Sequence, residues 1–257
     1  MAVSIDLSGT SAVVFGVANH RSIAWAVAER LHAAGAALTI TYQNERLGRD
    51  VLKLAASLPG AQAVECDAMN EDAVEAAVAA AAAQAPLATA VHAIAFANRD
   101  DLAGEFSRTG QEGFRTALEV SAYTLLPIAR AAAARMQAGG SLMTLTFHAA
   151  EKVYPGYNIM GVAKAALENE VRQLAAEFGP RAIRVNAISA GPLNTLAARG
   201  ISGFTSMAET HAHRAPLQRN IPQEEVGTTA LFLASPLASG ITGQTIYVDA
   251  GYSVMGV

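Results

Sequence analysis

The sequence predicts an α/β protein in which one doubly wound, parallel sheet of seven strands carries helices on both faces. Short apolar runs rich in β-branched residues alternate with longer segments of helical period, the pattern of repeated β-α units. These runs are almost continuously hydrophobic, as expected of strands that helices cover on both sides. The 257 residues contain no Pro- or Ser-rich linker and no internal repeat. We therefore expect a single domain, 1–257.

The predicted elements alternate along the whole chain. The strands are Ala12–Phe15, Leu38–Tyr42, Ala63–Cys66, Ala90–Phe96, Leu142–Phe147, Ile183–Ile188 and Thr245–Val248. The helices are Ser22–Ala34, Glu45–Ser57, Glu71–Ala83, Gln111–Met136, Tyr157–Phe178 and Glu224–Ala234. The segment 196–219 breaks this alternation with two glycines, two histidines and a proline. Because ligands of open α/β sheets bind beyond the carboxyl ends of the strands, we expect a substrate-binding lid there; a polar surface insertion is the alternative.

Composition and charge exclude several classes of protein. The chain has 18 Lys and Arg against 22 Asp and Glu, a net charge of −4, and its basic residues are scattered, which argues against nucleic-acid binding. The uncharged stretch Ala76–Asn98 is interrupted by polar residues and a proline, so we expect no membrane span. A single cysteine, Cys66, excludes an internal disulfide. With no secretory pattern at Met1–Gly9, this favours the cytoplasm.

The end of the first predicted strand has features of a dinucleotide site. Gly16 allows a tight turn and the close approach of a phosphate, and the amides of Ser22 and Ile23 at the start of the next helix can receive a pyrophosphate. Only the first glycine of the usual G-x-G-x-x-G pattern is present. An ordinary strand-to-helix turn therefore remains open.

The next two strand ends address the adenosine half of such a cofactor. An acidic residue after the second strand favours NAD and a basic one NADP, but Gln43 is neither. Arg46 and Arg49 are expected to be solvated, so we expect NADH rather than NADPH. After the third strand, Asp67 can accept a hydrogen bond from the adenine amino group, or it can cap a helix.

Tyr157 and Lys164 are the candidate catalytic pair. Seven positions correspond to nearly two helical turns, so both side chains share one helix face with Met160. A nearby ammonium favours the phenolate and is expected to lower the pKa of the tyrosine, which is ordinarily near 10. The same ammonium can hold ribose hydroxyls.

Six segments that together span essentially the whole chain carry a family resemblance. They are Gly16–Ala24, Thr41–Gln43, Val91–Ala97, Tyr157–Glu168, Arg184–Pro192 and Val248–Tyr252. In them the chain resembles the short-chain dehydrogenase/reductase superfamily. Within it, the chain is similar to the NADH-dependent enoyl-acyl-carrier-protein reductases of bacterial type II fatty acid synthesis, which likewise replace the later glycines with a Ser-Ile pair.

The resemblance implies a Rossmann-type fold and an oxidoreductase that reduces enoyl thioesters on acyl carrier protein. By it Tyr157 is the active-site phenol, Lys164 binds the cofactor ribose and Ala97 lies at the thioester. The cofactor positions it implies are Gly16, Ser22, Ile23, Gln43, Asp67, Ala68, Ile94, Leu193, Asn194, Thr195, Leu196 and Ala197. Relatives of this kind are typically homotetramers, which agrees with the low charged fraction of 16%.

The apolar residues of the lid segment suggest how an acyl chain is bound. Ile201, Phe204 and Met207 are expected to form an apolar wall, with Met160 facing them from the catalytic helix. This loop lacks the basic residues of the family that are thought to meet the acidic carrier protein, and Arg199 and Arg214 are the available replacements.

A second departure lies ten positions before Tyr157, where Phe147 replaces a family tyrosine. The hydroxyl is lost, whereas aromatic packing can persist.

Other functions fit the sequence less well. A carbonyl reductase of the same fold would use Tyr157 as the acid for an alkoxide, and a non-catalytic dinucleotide sensor would not need both Tyr157 and Lys164. His211 and His213 point apart on a helix and lack a partner ligand, so we expect no metal site. Ser121, Ser141 and His148 could form a triad on paper, but no nucleophile elbow accompanies them.

Overall fold

The computed structural model describes residues 4–196, 198, 201 and 203–256. Seven strands form one sheet in the order β3-β2-β1-β4-β5-β6-β7, and every neighbouring pair is parallel. The strands are β1 Ser11–Phe15, β2 Ala37–Tyr42, β3 Gln62–Glu65, β4 Leu87–His92, β5 Gly140–Thr146, β6 Ile183–Ala190 and β7 Thr245–Val248. The predicted fold class is confirmed.

Nine α-helices occur in the described part of the chain. They are α1 Ile23–Ala33, α2 Glu45–Ala56, α3 Glu71–Gln84, α4 Arg99–Leu102, α5 Gln111–Leu118, α6 Leu125–Arg135, α7 Asn158–Phe178, α8 Phe204–Arg214 and α9 Gln223–Ala234. Ala76–Asn98 holds the end of α3, a turn and β4, and no helix in the described residues is long and apolar enough to cross a membrane.

The hydrophobic core lies on both faces of the sheet. All five side chains of β1 are buried, and the four apolar ones divide between two clusters by the two-residue period of a strand. Val13 and Phe15 pack in the cluster that includes α3, α6 and α7, whereas Ala12 and Val14 pack in the one that includes α1 and α9. Helices on both faces explain why the strands read as continuous apolar runs.

The fourth strand begins and ends earlier than predicted. The apolar run Ala90–Phe96 was expected to be all strand, but β4 ends at His92. The hydroxyl of Ser121 accepts from the Phe96 amide at 2.9 Å and donates to the Phe96 carbonyl at 3.0 Å, which satisfies this backbone outside the sheet. The residues beyond His92 are therefore apolar because they line a cavity, described below.

The predicted helix Gln111–Met136 is interrupted by a π-helical turn at Glu119–Tyr123. After this turn the Thr124 hydroxyl donates to the Val120 carbonyl at 2.8 Å and lies 2.9 Å from Nε2 of His92. A side chain from a distant strand thus meets the helix where its regular ladder is broken, and π-turns of this kind often mark functional sites.

Part of the predicted lid is helical. The segment 196–219 was not predicted to contain a helix. In the structure, α8 begins after Gly203, whose φ is +75°. The sequence of α8 is rich in small and polar residues, so its apolar residues do not show the spacing that predicts a helix. Ala197, Arg199 and Gly200 lie outside the described residues.

Candidate active site

One cavity of about 550 Å³ opens at the carboxyl ends of the central strands. Most of the residues predicted for the cofactor and the substrate line it together. They are Gly16, Ser22, Ile23, Ile94, Ala97, Tyr157, Met160, Lys164, Leu193, Thr195, Leu196, Ile201, Phe204 and Met207. The order of strands reverses between β1 and β4, which is where ligands of doubly wound sheets bind.

Some predicted residues are not in the cavity wall. Gln43, Asp67, Ala68 and Asn194 do not line it, and Ala197 lies outside the described residues. Gln43 follows β2 and Asp67 follows β3, so both are at the same edge of the sheet as the cavity but farther from its centre. The alternative that Asp67 caps a helix is wrong, because Asn70 caps α3 and Asp67 accepts from the Met69 amide at 3.1 Å.

Arg46 and Arg49 are both exposed, as expected of solvated side chains, but Arg46 also lines the cavity. Its side chain is exposed, and it stands in the first turn of α2, close to the end of β2. Arg49, one turn later, is exposed and lies 3.8 Å from Glu45. The two arginines, which the sequence could not distinguish, therefore differ in their access to the cavity.

The first strand-to-helix turn requires glycine at position 16. Gly16 has a φ of +92°, and a Cβ there would stand 2.2 Å from the Ala93 carbonyl oxygen. The turn thus passes directly over the segment that leaves β4. A side chain at this position would displace one wall of the cavity.

Ser22 organises the rest of this turn. Its hydroxyl accepts from the amides of Ala18 and Asn19, each at 3.1 Å. Its own amide donates to the Asn19 carbonyl at 3.0 Å. Because the Ser22 amide already has an acceptor, the Ile23 amide at the start of α1 is the stronger candidate to receive a pyrophosphate.

Tyr157 and Lys164 both face the cavity, from the start and the second turn of α7. Lys164 is only 5% exposed, and its Nζ donates to the Leu145 carbonyl at 2.7 Å. Burial lowers the pKa of Lys164 from 10.5 to about 8, against the opposing charge of Glu168. The lysine is still mostly protonated at pH 7 and places a cation inside the cavity.

The expectation that Lys164 lowers the pKa of Tyr157 is wrong. Burial raises the pKa of this phenol well above its usual value, because a phenolate would lose its solvation. Tyr157 therefore stays protonated at neutral pH, as a hydrogen-bond donor must.

Aromatic and apolar side chains hold the Tyr157 ring. Its centroid lies 5.1 Å from that of Phe147, at an interplanar angle of 59°, so the expected aromatic packing of Phe147 is confirmed. On the substrate side, Tyr157 and Ala97 pack against a small cluster formed by Leu102, Met160 and Ala163.

Comparison with known proteins decides the family. The family model for enoyl-(acyl carrier protein) reductase matches residues 16–253. The chain belongs to this family of reductases. It is similar to the NADH enoyl-acyl-carrier-protein reductase of Bacillus cereus, with 49% identity over 97% of this chain and 99% of that one. The corresponding enzyme of Nostoc is 47% identical over 98% of this chain and 100% of its own length.

Solved structures of the family show the same fold. The Bacillus cereus reductase, crystallised with NADP⁺ and indole naphthyridinone, matches with a TM-score of 0.94 and 48% identity, over 98% of this chain and 99% of that one. The Anaplasma phagocytophilum reductase in complex with NAD also has a TM-score of 0.94, with 41% identity over 100% of this chain and 98% of that one.

His92 is a residue of this reductase that sequence reasoning did not assign to the site. It is fully buried, with Nδ1 2.8 Å from the Thr144 hydroxyl and Nε2 2.9 Å from that of Thr124. Burial, and next the charge of Lys164, lower its pKa to about 3, so the ring is neutral. It ties β4, β5 and the π-turn together beneath the cavity. Its only sequence signal was a polar residue in an apolar strand.

The alternative polar sets do not assemble in this reductase. His211 is buried and His213 exposed on α8, and the described residues contain no cluster of three potential metal ligands. Ser121 binds the Phe96 backbone, Ser141 donates to the Leu233 carbonyl, and His148 lies 3.0 Å from the Tyr154 hydroxyl. Each member of the hypothetical triad thus has a different partner.

Proposed function

We propose that this reductase uses NADH to reduce the α,β double bond of enoyl thioesters carried on acyl carrier protein, with Tyr157 and Lys164 as its catalytic residues. The observation that carries the proposal is that both side chains line one cavity with the Gly16 turn at one end and apolar lid residues at the other. Membership of the family supports the reaction and the cofactor.

The residues present fit a nicotinamide dinucleotide. Gly16 forms a turn in which a Cβ would meet the backbone, and the N-terminus of α1 directly follows it, suited to a phosphate. Lys164 presents a buried cation where ribose hydroxyls can accept hydrogen bonds. Leu193, Thr195 and Ile94 supply apolar and small polar walls for the nicotinamide end.

When bound, this cofactor supplies the hydride that reaches the β-carbon of the enoyl group. The electron pair of the double bond then moves toward the thioester, so that negative charge develops on the carbonyl oxygen. The protonated Tyr157 hydroxyl donates a hydrogen bond to that oxygen and stabilises the enolate. Lys164 would hold the cofactor ribose, and its buried ammonium adds positive potential to the cavity. A proton taken up from water at the α-carbon completes the saturated thioester.

The acyl chain would lie along the apolar side of the cavity. Phe204 and Met207 line it from α8, Ile201 from the preceding turn, and Met160 from α7. We propose that this segment, part of 196–219, acts as a lid that excludes water from the reacting carbons. The exposed Arg214 at the end of α8 is the described candidate for contact with the acidic carrier protein.

We also propose a homotetramer in the cytoplasm. Exposed apolar side chains on several elements support burial between subunits: Phe114 is 42% exposed, Met255 45% and Val254 78%. Cys66 is buried and unpaired among the described residues, which suits a reducing compartment. Light scattering at micromolar concentration should give four times the chain mass, and a monomer would refute the assembly.

An oxidation assay with NADH and with NADPH tests the reaction. Crotonyl and acetoacetyl thioesters are offered separately, and the products are analysed for the saturated acid and the hydroxy acid. We expect NADH-dependent reduction of the crotonyl thioester and little reduction of the ketone. Turnover of the ketone alone would instead establish the carbonyl reductase.

A further inference from the structure

The lid helix α8 buries one side chain against the body of the protein. Within Phe204–Arg214, all of which the structure describes, His211 is the single buried residue, 3% exposed. The opposite end of the same helix places Phe204 and Met207 in the cavity wall. The position of the His211 ring therefore determines where Phe204 and Met207 stand in the cavity wall.

His211 is fixed by a ring stack and by an amide. Its ring lies parallel to that of Tyr252, with centroids 4.5 Å apart and an interplanar angle of 19°. Its Nδ1 is 3.0 Å from Oδ1 of Asn220, whose Nδ2 donates to the Ala208 carbonyl at 3.0 Å. That second bond orients the amide, so Nδ1 of His211 is the nitrogen that carries the proton. Asn220 thus clamps α8 at two points.

The other ring nitrogen faces the backbone of Gly191, directly after β6. Nε2 of His211 is buried and has no hydrogen-bond partner among the described residues. The ring edge packs on Gly191, where an added Cβ would come within 3.1 Å of both Cε1 and Nε2. Gly191 itself lines the cavity. A neutral Nε2 fits this contact, whereas a proton on it would lie buried against the backbone without an acceptor.

We propose that neutral His211 is a positioning residue that seats α8 against Gly191 and thereby makes the reductase selective for long acyl chains. The inference rests on the proposed function of the segment as a wall for the acyl chain. Protonation of the ring unseats the helix, so selectivity for long chains falls in acid while the chemistry at Tyr157 continues.

The charged and titratable groups around the His211 ring leave its neutral form favoured. Burial lowers the pKa of His211. The hydrogen bond to Asn220 and the charge of Asp249 raise it, and the charge of His148 lowers it further. Both oxygens of Asp249 already accept backbone amides, of Gly251 at 2.9 Å and Ser253 at 2.8 Å. Tyr252 stacks on His211 from one side, and beyond it His148 lies 3.0 Å from the Tyr154 hydroxyl.

The direction of the pH effect follows from linkage. In the unseated helix the ring is exposed and titrates near its ordinary pKa of about 6.5, whereas in the seated helix its pKa is lower. The seated state is therefore fully favoured above pH of about 6.5, and that preference is lost progressively as the pH falls below it.

The test compares kcat/KM for dodecenoyl and crotonyl thioesters with saturating NADH between pH 5.5 and 8. We expect the wild-type ratio of kcat/KM for dodecenoyl to kcat/KM for crotonyl thioester to fall about tenfold toward the acid end. A fall of this size corresponds to losing the burial of about two CH₂ groups of the acyl chain. The change should be in KM and not in kcat. His211→Ala should show the low ratio at every pH. His211→Phe keeps the stack on Tyr252 but cannot titrate, so its ratio should not change with pH.

His213→Phe is the matched control, because it makes the same substitution at an exposed position of the same helix. It should reproduce the wild-type pH profile. A ratio that stays constant with pH in the wild type, or that falls equally in His211→Phe, would overturn the role of His211. Absence of crotonyl turnover in the wild type would refute the proposed function instead.

Hydrogen exchange of the 204–214 amides keeps the inference testable without turnover. At one pH, His211→Ala should exchange faster than His213→Ala in this segment, with equal exchange in β5. Equal rates in the two variants would show that His211 does not seat the helix.

Discussion

Replacing Lys164 by methionine should make the cofactor-free reductase more stable at neutral pH. The pKa of Lys164 falls from 10.5 to about 8 on burial, a difference that corresponds to about 3 kcal/mol at about 1.36 kcal/mol per pH unit. This cost of burying the charge is fully present below pH 8 and disappears as the pH rises from 8 to 10.5. Loss of the bond to the Leu145 carbonyl offsets about 1 kcal/mol, so we expect a net gain of roughly 2 kcal/mol at pH 7.

Urea unfolding of the two proteins at pH 7 and at pH 10 measures this. The stability difference should shrink or reverse at pH 10, where the wild-type lysine is neutral. Lys53→Met, at an exposed position of α2, should show no comparable gain. With saturating NADH the order should invert, because only the wild type is expected to bind the cofactor tightly. A Lys164→Met protein that is less stable than the wild type by the same amount at both pH values would show that the buried charge of Lys164 does not destabilise the fold.

Three further substitutions test other parts of the site. Gly16→Ala should abolish NADH binding and destabilise the protein more than the control Gly9→Ala. Gly9 has a similar positive φ, but a Cβ there would meet nothing within 4 Å, so Gly9→Ala should lower the free energy of unfolding in urea by only about 1–2 kcal/mol. Phe204→Ala should reduce kcat/KM for dodecenoyl thioesters more than for crotonyl thioesters, at about 0.8 kcal/mol per CH₂ no longer buried, and equal losses on both would show that this side chain does not contact the chain. Arg46→Ala should raise KM for NADPH up to about fivefold and KM for NADH less, whereas Arg49→Ala should change neither. An equal effect of both variants would show that Arg46 does not contact the adenosine half of the cofactor.

The fold was predictable because each strand carries its own signal. A strand covered on both faces is buried at nearly every position and is therefore mostly apolar, and β1, with five buried side chains of which four are apolar, fits that pattern. The same rule failed at Ala93–Phe96, because a cavity wall is as apolar as a buried strand. The π-turn is followed by Thr124, whose hydroxyl contacts His92, 32 residues away in sequence, and no local pattern contains that contact.

The chemistry of the site was predictable in its residues but not in its electrostatics. The spacing of Tyr157 and Lys164 correctly places them in one cavity. The depth of burial, which raises the pKa of one and lowers that of the other, depends on the packing of α7 against its neighbours. Likewise, α8 is held by His211 and Tyr252, which lie 41 positions apart, and its own composition does not reveal that it is a helix.

Single-turnover reduction of crotonyl thioester by the wild type and by Tyr157→Phe tests whether the Tyr157 hydroxyl stabilises the enolate. NADH is bound first, and its affinity is measured separately by fluorescence titration. We predict that Tyr157→Phe reduces the double bond about 10²–10⁴ times more slowly, with NADH affinity nearly unchanged. An unchanged rate, or a loss that weaker NADH binding accounts for entirely, would contradict the role of the Tyr157 hydroxyl at the developing enolate.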